Sequence, residues 1–180
     1  QAYPYRNVVE IQNTVSEDTM ENALAVNKSK DKDNRNVNII GEIGNATQTL
    51  YFIQPITTGT ALFSIGTHHA RTTRELVCSL ANNLLELEVC KTQKEAVEMV
   101  ADAVNIDCHL IEVNGNRYIE RITEIIPNKD KGAEPFAEKD ILRCDAQNVF
   151  VTGFSDEMKS KIVSKLTKAE KEEFLHDIGM

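Results

Sequence analysis

The sequence predicts an α/β domain in which short parallel strands carry polar residues to one sheet edge and an antiparallel hairpin extends the sheet. Three observations predict it. Val37-Asn-Ile-Ile40 and Ala61-Leu-Phe-Ser-Ile65 are apolar runs of strand length, the first leading into Gly41-Glu42 and the second into Thr67-His68-His69. Such runs read as buried parallel strands, whose C-terminal edge is where open α/β sheets place their chemistry. Thr72-x-x-Glu75 and Thr92-x-x-Glu95 are capping boxes that open two amphipathic stretches. Asn114-Gly115 stands between two β-rich runs, and both positions of a tight hairpin turn favour residues that accept positive φ.

The elements follow in order. Asn7-Val-Val-Glu-Ile-Gln12 reads as a short strand, and Ser16 offers an N-cap to a helix with Met20, Ala23 and Leu24 on one face. A polar loop, Lys28 to Arg35, separates that helix from the strand Val37 to Ile40. The stretch Ala46 to Ile56 is ambiguous: its β-branched and aromatic content favours strand, whereas Ala46, Leu50 and Ile53 lie at helical spacing. Pro55 followed by Thr-Thr-Gly would stop a helix there. Leu76, Val77, Leu80, Ala81, Leu84 and Leu85 form one stripe of the first capped helix; Ala96, Val97, Val100, Ala101 and Val104 form that of the second. The hairpin runs Cys108 to Val113 and Arg117 to Ile126.

Residues 128–139, with Gly132 and Pro135, read as a charged linker between a first unit, 1–127, and a small C-terminal unit, 140–180. In the latter, Ile141–Cys144 and Val149–Thr152 are expected as short strands, Asp156 to about Leu166 as a helix, and Thr167-x-x-Glu170 as the start of a last helix. No internal repeat or low-complexity tract interrupts the chain.

Composition narrows the function. With 180 residues, 41% hydrophobic and 27% charged, the chain has the make-up of a globular domain with a sizeable core. No apolar run approaches the roughly 20 residues of a membrane-spanning helix, and nothing at the start resembles a signal peptide. The chain begins with Gln1 rather than Met, as expected of a processed or excised piece. A net charge of −8 argues against a broad nucleic-acid surface, which needs clustered Lys and Arg. Lys159, Lys161, Lys165 and Lys168 are flanked by Asp156, Glu157 and Glu170 and read as a solvated helix face. Cys78, Cys90, Cys108 and Cys144 form no Cys-x-x-Cys pair and read as reduced thiols of a cytosolic protein. Asn45-Ala-Thr47 reads as a chance sequon.

Glu42 and His69 are the candidate catalytic residues. A carboxylate at a strand end can orient or deprotonate a water, and an imidazole beside it can donate to developing negative charge. His68, which alternation points the other way from His69, reads as a bystander. Arg71 and Arg74 are suited to phosphate, though Arg74 is equally placed on the wet face of its helix. His68, His69, Cys108, His109 and Cys144 lack zinc-ligand spacing, and no Gly-x-Ser-x-Gly elbow occurs. A metal-dependent hydrolase using His68 and His69 would be a separate reading.

In order and spacing, Gly41-Glu42-Ile43, Thr58-Gly59-Thr60 and Thr67-His68-His69-Ala70 resemble the secretion ATPases of type II and type IV secretion systems, including those of Tad-type pili. There a strand ending in Gly-Glu is the Walker B element, a Thr-Gly-His segment follows, and a strand ending in Thr-x-His-Ala is the histidine box. Arg74-Glu-Leu-Val, Asn105-Ile-Asp-Cys-His-Leu and Gly115-Asn-Arg-Tyr-Ile-Glu-Arg-Ile-Thr-Glu-Ile are similar to the family's C-terminal half. The resemblance spans roughly residues 7–126. It implies part of a RecA-like P-loop ATPase core, with Ala46 to Ile56 helical, Glu42 directing water at the γ-phosphorus, and His69 beside the γ-phosphate. It further implies ATP and Mg2+ as ligands of a longer protein and a homohexameric ring. That ring would be cytoplasmic, peripheral at the membrane on the inner-membrane platform of a pilus, secretion or conjugation machine.

Departures from the family pattern are concrete. No Gly-x-x-x-x-Gly-Lys-Ser/Thr occurs in the 180 residues, so this piece is expected to hold no ATP tightly and to be inactive alone. Asn34-Arg35-Asn36 stands where the family reads Arg-Pro-Asp, Gly44 replaces an arginine, and Thr60 replaces a histidine. These support the alternative of a non-catalytic, ATPase-like scaffold or partner-binding module. A chain carrying only part of such a sheet is expected to leave apolar surface exposed.

Overall fold

The structure is a computed structural model that describes residues 37–130, 134–145 and 148–177. The strand expected at 7–12, the helix from Ser16, the polar loop with Asn34-Arg35-Asn36, and Gly132 lie outside the described residues. The elements run β1 (Val37–Ile40), α1 (Ala46–Thr57), β2 (Phe63–Gly66), α2 (Thr73–Glu86), α3 (Gln93–Ala103), β3 (Ile106–Val113), β4 (Asn116–Pro127), β5 (Phe136–Cys144), β6 (Val149–Val151), α4 (Asp156–Lys165) and α5 (Lys168–Asp177). β1 and β2 form a parallel pair, while β3, β4, β5 and β6 form an antiparallel sheet in that order. The α/β class is as the sequence predicts, but the hairpin does not extend the parallel sheet as expected: among the described residues β3 and β4 belong to the separate antiparallel sheet, joined to the parallel pair by packing on the helices between them and not by strand pairing. Among the described residues no helix is long and apolar enough to cross a membrane.

The ambiguous stretch after Glu42 is helix. Asn45 caps α1 by accepting from the Gln48 amide at 2.9 Å, and Gln48 Oε1 returns the bond by accepting from Gly44 N at 2.7 Å. Pro55 does not stop the helix; it lies inside, and α1 continues to Thr57. A proline there has no N–H for the carbonyl four residues earlier. That carbonyl, of Tyr51, instead accepts from Asn38 Nδ2 of β1 at 3.1 Å. The end comes at Gly59, with φ 70°, where the Pro55 carbonyl collects the amides of Thr60 and Ala61.

α2 and α3 form the centre of the core. Val77, Leu80, Ala81 and Leu84 of α2 and Ala96, Val97, Val100 and Ala101 of α3 are buried in one cluster, which Ile43, Ile53, Ile125 and Phe136 join. Thr92 and Glu95 complete a reciprocal capping box on α3. On α2 only half the expected box forms: Thr72 Oγ1 accepts from Glu75 N, but the Glu75 carboxylate reaches past it to Arg71 N at 2.8 Å. α2 ends in a Schellman arrangement, Val89 N to Leu84 O and Glu88 N to Leu85 O, with Glu88 at φ 55° in the position glycine normally takes.

The hairpin is as predicted: Val113 pairs with Asn116, and Asn114 and Gly115 have φ of 53° and 77°, a type I′ turn. The segment read as a linker, 128–139, differs from expectation at its end. Phe136 to Lys139 are strand, paired with Glu124 to Pro127 of β4, because buried Phe136 draws the chain back onto the core. Expected strands and helices follow, with Ser155 capping α4 and also donating from N and Oγ to the carboxylate of Glu124, itself 2% exposed. Glu170 accepts from both the amide and the hydroxyl of Thr167 at the start of α5. The four cysteines are free thiols; Cys90 is buried, Cys78 and Cys144 are half-buried, and Cys108 is exposed. Burial first, then Glu95, pushes the Cys90 thiol pKa up, which keeps it protonated and unreactive.

Two apolar faces stay uncovered among the described residues. Val37, Ile39, Phe63 and Ile65 share the face of β1 and β2 away from α1, with Ile39 72% exposed. Leu110, Ile119 and Val151 are exposed on the antiparallel sheet.

Two stability changes follow from these placements. Leu84→Ala leaves a cavity between α2 and α3 and is expected to cost about 2–5 kcal/mol in urea unfolding, while Val151→Ala stays within about 0.5 kcal/mol. Glu88→Gly removes the steric penalty of a left-handed side chain and is expected to raise stability by about 1 kcal/mol in the same measurement.

Candidate functional site

Parallel pairing sets the site. Ile40 lies opposite Gly66, so β1 and β2 leave the sheet at one level. The ladder then continues irregularly: Ile43 N donates to Thr67 O at 2.8 Å, and Thr67 Oγ1 donates to Gly41 O. Ile43 is driven into the core, 2% exposed. Its neighbour Glu42 therefore stays at the surface, as does His69 across from it, with His69 Nε2 3.5 Å from Glu42 Oε1.

Their side chains are 64% and 95% exposed respectively. Attraction between such exposed groups is worth at most about 1 kcal/mol, too little to order two loops. The backbone therefore positions the pair, and the pair does not position the backbone. Gly66 contributes to this, since a Cβ there would come within 2.6 Å of Ile43 Cδ1.

His68 faces the other way from His69, as alternation predicts, and both of its ring nitrogens have partners. Its Nδ1 lies 2.6 Å from Ile43 O and its Nε2 3.0 Å from Ser79 Oγ of α2. Nothing in the spacing of the histidine pair signals this, because the partner serine lies on another element.

The arginines have separate fates. Arg74 bonds Glu134 at 3.1 Å, lies 3.8 Å from Glu138 and stacks 5.2 Å above the ring of Phe136, which takes it towards β5. The hydrogen bond to Glu134 pushes its pKa up. Arg71 is exposed close to His69, and its carbonyl accepts from Arg121 Nη2 at 3.1 Å. Arg121 also bonds Glu120 at 2.9 Å and lies 3.8 Å from Asp107, whose carboxylate accepts from Thr73 Oγ1 at 2.8 Å. This network ties the end of the histidine segment to the antiparallel sheet.

Thr58-Gly59-Thr60 is not brought to Glu42 and His69. α1 carries the chain away from Glu42 over 12 residues, about 18 Å of helix, and the Thr58 and Thr60 hydroxyls close its end on Gln54 O and Pro55 O. A cavity of about 280 Å³ lies elsewhere, under α4, between Asp102, Glu124, Met158 and Lys161. Among the described residues no three His, Cys, Asp or Glu side chains converge as metal ligands; His109 lies 3.7 Å from Glu120.

The fold and site thus define an α/β protein that presents a carboxylate and an imidazole at the C-terminal edge of a parallel strand pair. No family model matches the sequence, and no curated protein matches it.

Gly66→Ala tests whether the backbone sets the site. The added methyl displaces Ile43 from its packing and is expected to cost about 1–3 kcal/mol in denaturant unfolding. It should also weaken the magnetisation transfer between the Glu42 and His69 side chains in an NMR experiment.

Proposed function

We propose that this chain is the C-terminal half of an ATP-hydrolysing motor of the secretion-ATPase kind, a partial RecA-like core. One observation carries the reading: the strands bearing Gly41-Glu42 and Thr67-x-His69-Ala70 pair in parallel, with Glu42 Oε1 3.5 Å from His69 Nε2 at their common edge. Two segments that resemble the family's motifs thereby lie at one place, which supports the reading.

In this reading Glu42 accepts a proton from, or orients, the water that attacks the γ-phosphorus, and it would help to hold Mg2+, which would supply charge neutralisation at the phosphates. His69 donates a hydrogen bond to charge developing on the γ-phosphoryl oxygens. Both are exposed in this chain, as groups must be that meet a nucleotide held mainly by other parts. In this reading the amide cradle and lysine for the phosphates would be supplied from outside these 180 residues. The resemblance extends the reading to a homohexameric ring at the cytoplasmic face of a membrane, powering pilus assembly, secretion or conjugative transfer.

A second reading is a non-catalytic scaffold with an ATPase-like fold. It is favoured by the absence of a phosphate-binding motif from the 180 residues and by the engagement of Arg74 with Glu134 and Glu138, which leaves it turned from the Glu42 edge.

Magnesium-dependent ATP hydrolysis by the chain extended upstream to its natural start separates the two. The motor reading expects turnover that Glu42→Gln lowers about 100-fold or more. Absence of both ATP binding and turnover in the extended chain would overturn it in favour of the scaffold.

A further inference from the structure

We propose that His68 is the positioning residue of the Glu42–His69 edge, acting as the Nδ1-protonated tautomer bridging Ile43 O to Ser79 Oγ. The proposal rests on the reading of Glu42 and His69 given above.

The hydrogen-bond chemistry fixes the tautomer. A backbone carbonyl only accepts, so the 2.6 Å contact to Ile43 O requires a proton on Nδ1. In the neutral ring Nε2 is then an acceptor, and Ser79 Oγ, 3.0 Å away, donates to it. The ring is half-buried, so both bonds are partly shielded from water.

What the bridge holds matters more than its strength. Glu42 lies between Gly41 and Ile43, and the carbonyls of both are bound by consecutive residues of the opposing strand end: Gly41 O by Thr67 Oγ1, Ile43 O by His68 Nδ1. The next residue is His69. One three-residue segment thus pins the backbone on each side of the carboxylate and supplies its imidazole partner. Through Ser79 the same segment is referred to α2, in the core.

Selective ¹⁵N labelling of histidine in the 180-residue chain, read by two-bond proton–nitrogen correlation at mildly alkaline pH, is the first test. His68 is expected with Nδ1 protonated and Nε2 bare. The Nε2-protonated tautomer would overturn the proposal, since it has no proton for Ile43 O. This readout needs no variant to fold.

The second test is kinetic, in the upstream-extended chain. His68→Ala is expected to lower kcat on the order of 10-fold to 100-fold, with KM for ATP little changed, as for misplacement of reacting groups. His68→Asn, whose amide nitrogen can replace Nδ1 as donor to Ile43 O, should restore most of that loss. His68→Gln, which reaches only the Nε2 position, should not. If Glu42→Gln abolishes turnover while His68→Ala keeps it, the positioning role falls and the motor reading stands. If Glu42→Gln itself leaves turnover intact, the reading of Glu42 falls and takes the positioning role with it.

Discussion

The apolar stripe shared by α2 and α3 is the constraint on which the parallel strands, α1 and the inner strands of the antiparallel sheet depend. Its residues are small or medium-sized, chiefly Val, Leu and Ala. Ile43 and Ile53, from the parallel-strand side of the chain, and Ile125 and Phe136, from the antiparallel sheet, join the same cluster. Each fully buried aliphatic side chain contributes about 1.5–3 kcal/mol, so a few such contacts outweigh any surface ion pair in the molecule. Glu42 inherits its position from this: it is at the surface because the residue after it is in the core.

Much of this was legible in the sequence, for physical reasons that differ by element. The helical stripes and the Asn114-Gly115 hairpin depend on local periodicity and turn stereochemistry, and both stand as the residues predict. The meeting of Glu42 and His69 depends on strand pairing, but two short apolar runs joined by a helix-length crossover leave little choice other than parallel neighbours. The extent of β5 was hidden because Phe136 sits among charged and turn-forming residues; its strand character comes from burial against α2 and α3, which no local window contains. His68 and Arg121 were hidden for a similar reason. Their partners, Ser79 and the Arg71 carbonyl, lie on other elements, and a long-range polar contact has no period.

Charge is distributed so that the site edge stands apart from the rest of the polar surface. Arg74 is held by Glu134, Glu138 and the face of Phe136, and Arg121 by Glu120, Asp107 and a backbone carbonyl. These cations fasten α2 to the antiparallel sheet. The edge itself presents Glu42, His69 and the exposed Arg71, one acid and two groups suited to phosphate oxygens. Arginine here is divided between joinery and surface chemistry, and a bare motif cannot tell which arginine does which.

Pro55 has a consequence for how the molecule assembles. A helix of 12 residues is marginal by itself in water, and a proline four residues beyond Tyr51 takes away one of its few internal bonds. The donor that serves the Tyr51 carbonyl belongs to Asn38, in the strand that carries Glu42 to its edge. α1 and β1 are therefore bonded to each other through a carbonyl that the proline leaves free of its helical partner. The segment that delivers the acid is thus tied directly to the helix behind it, so a disturbance of that helix has a short route to the site.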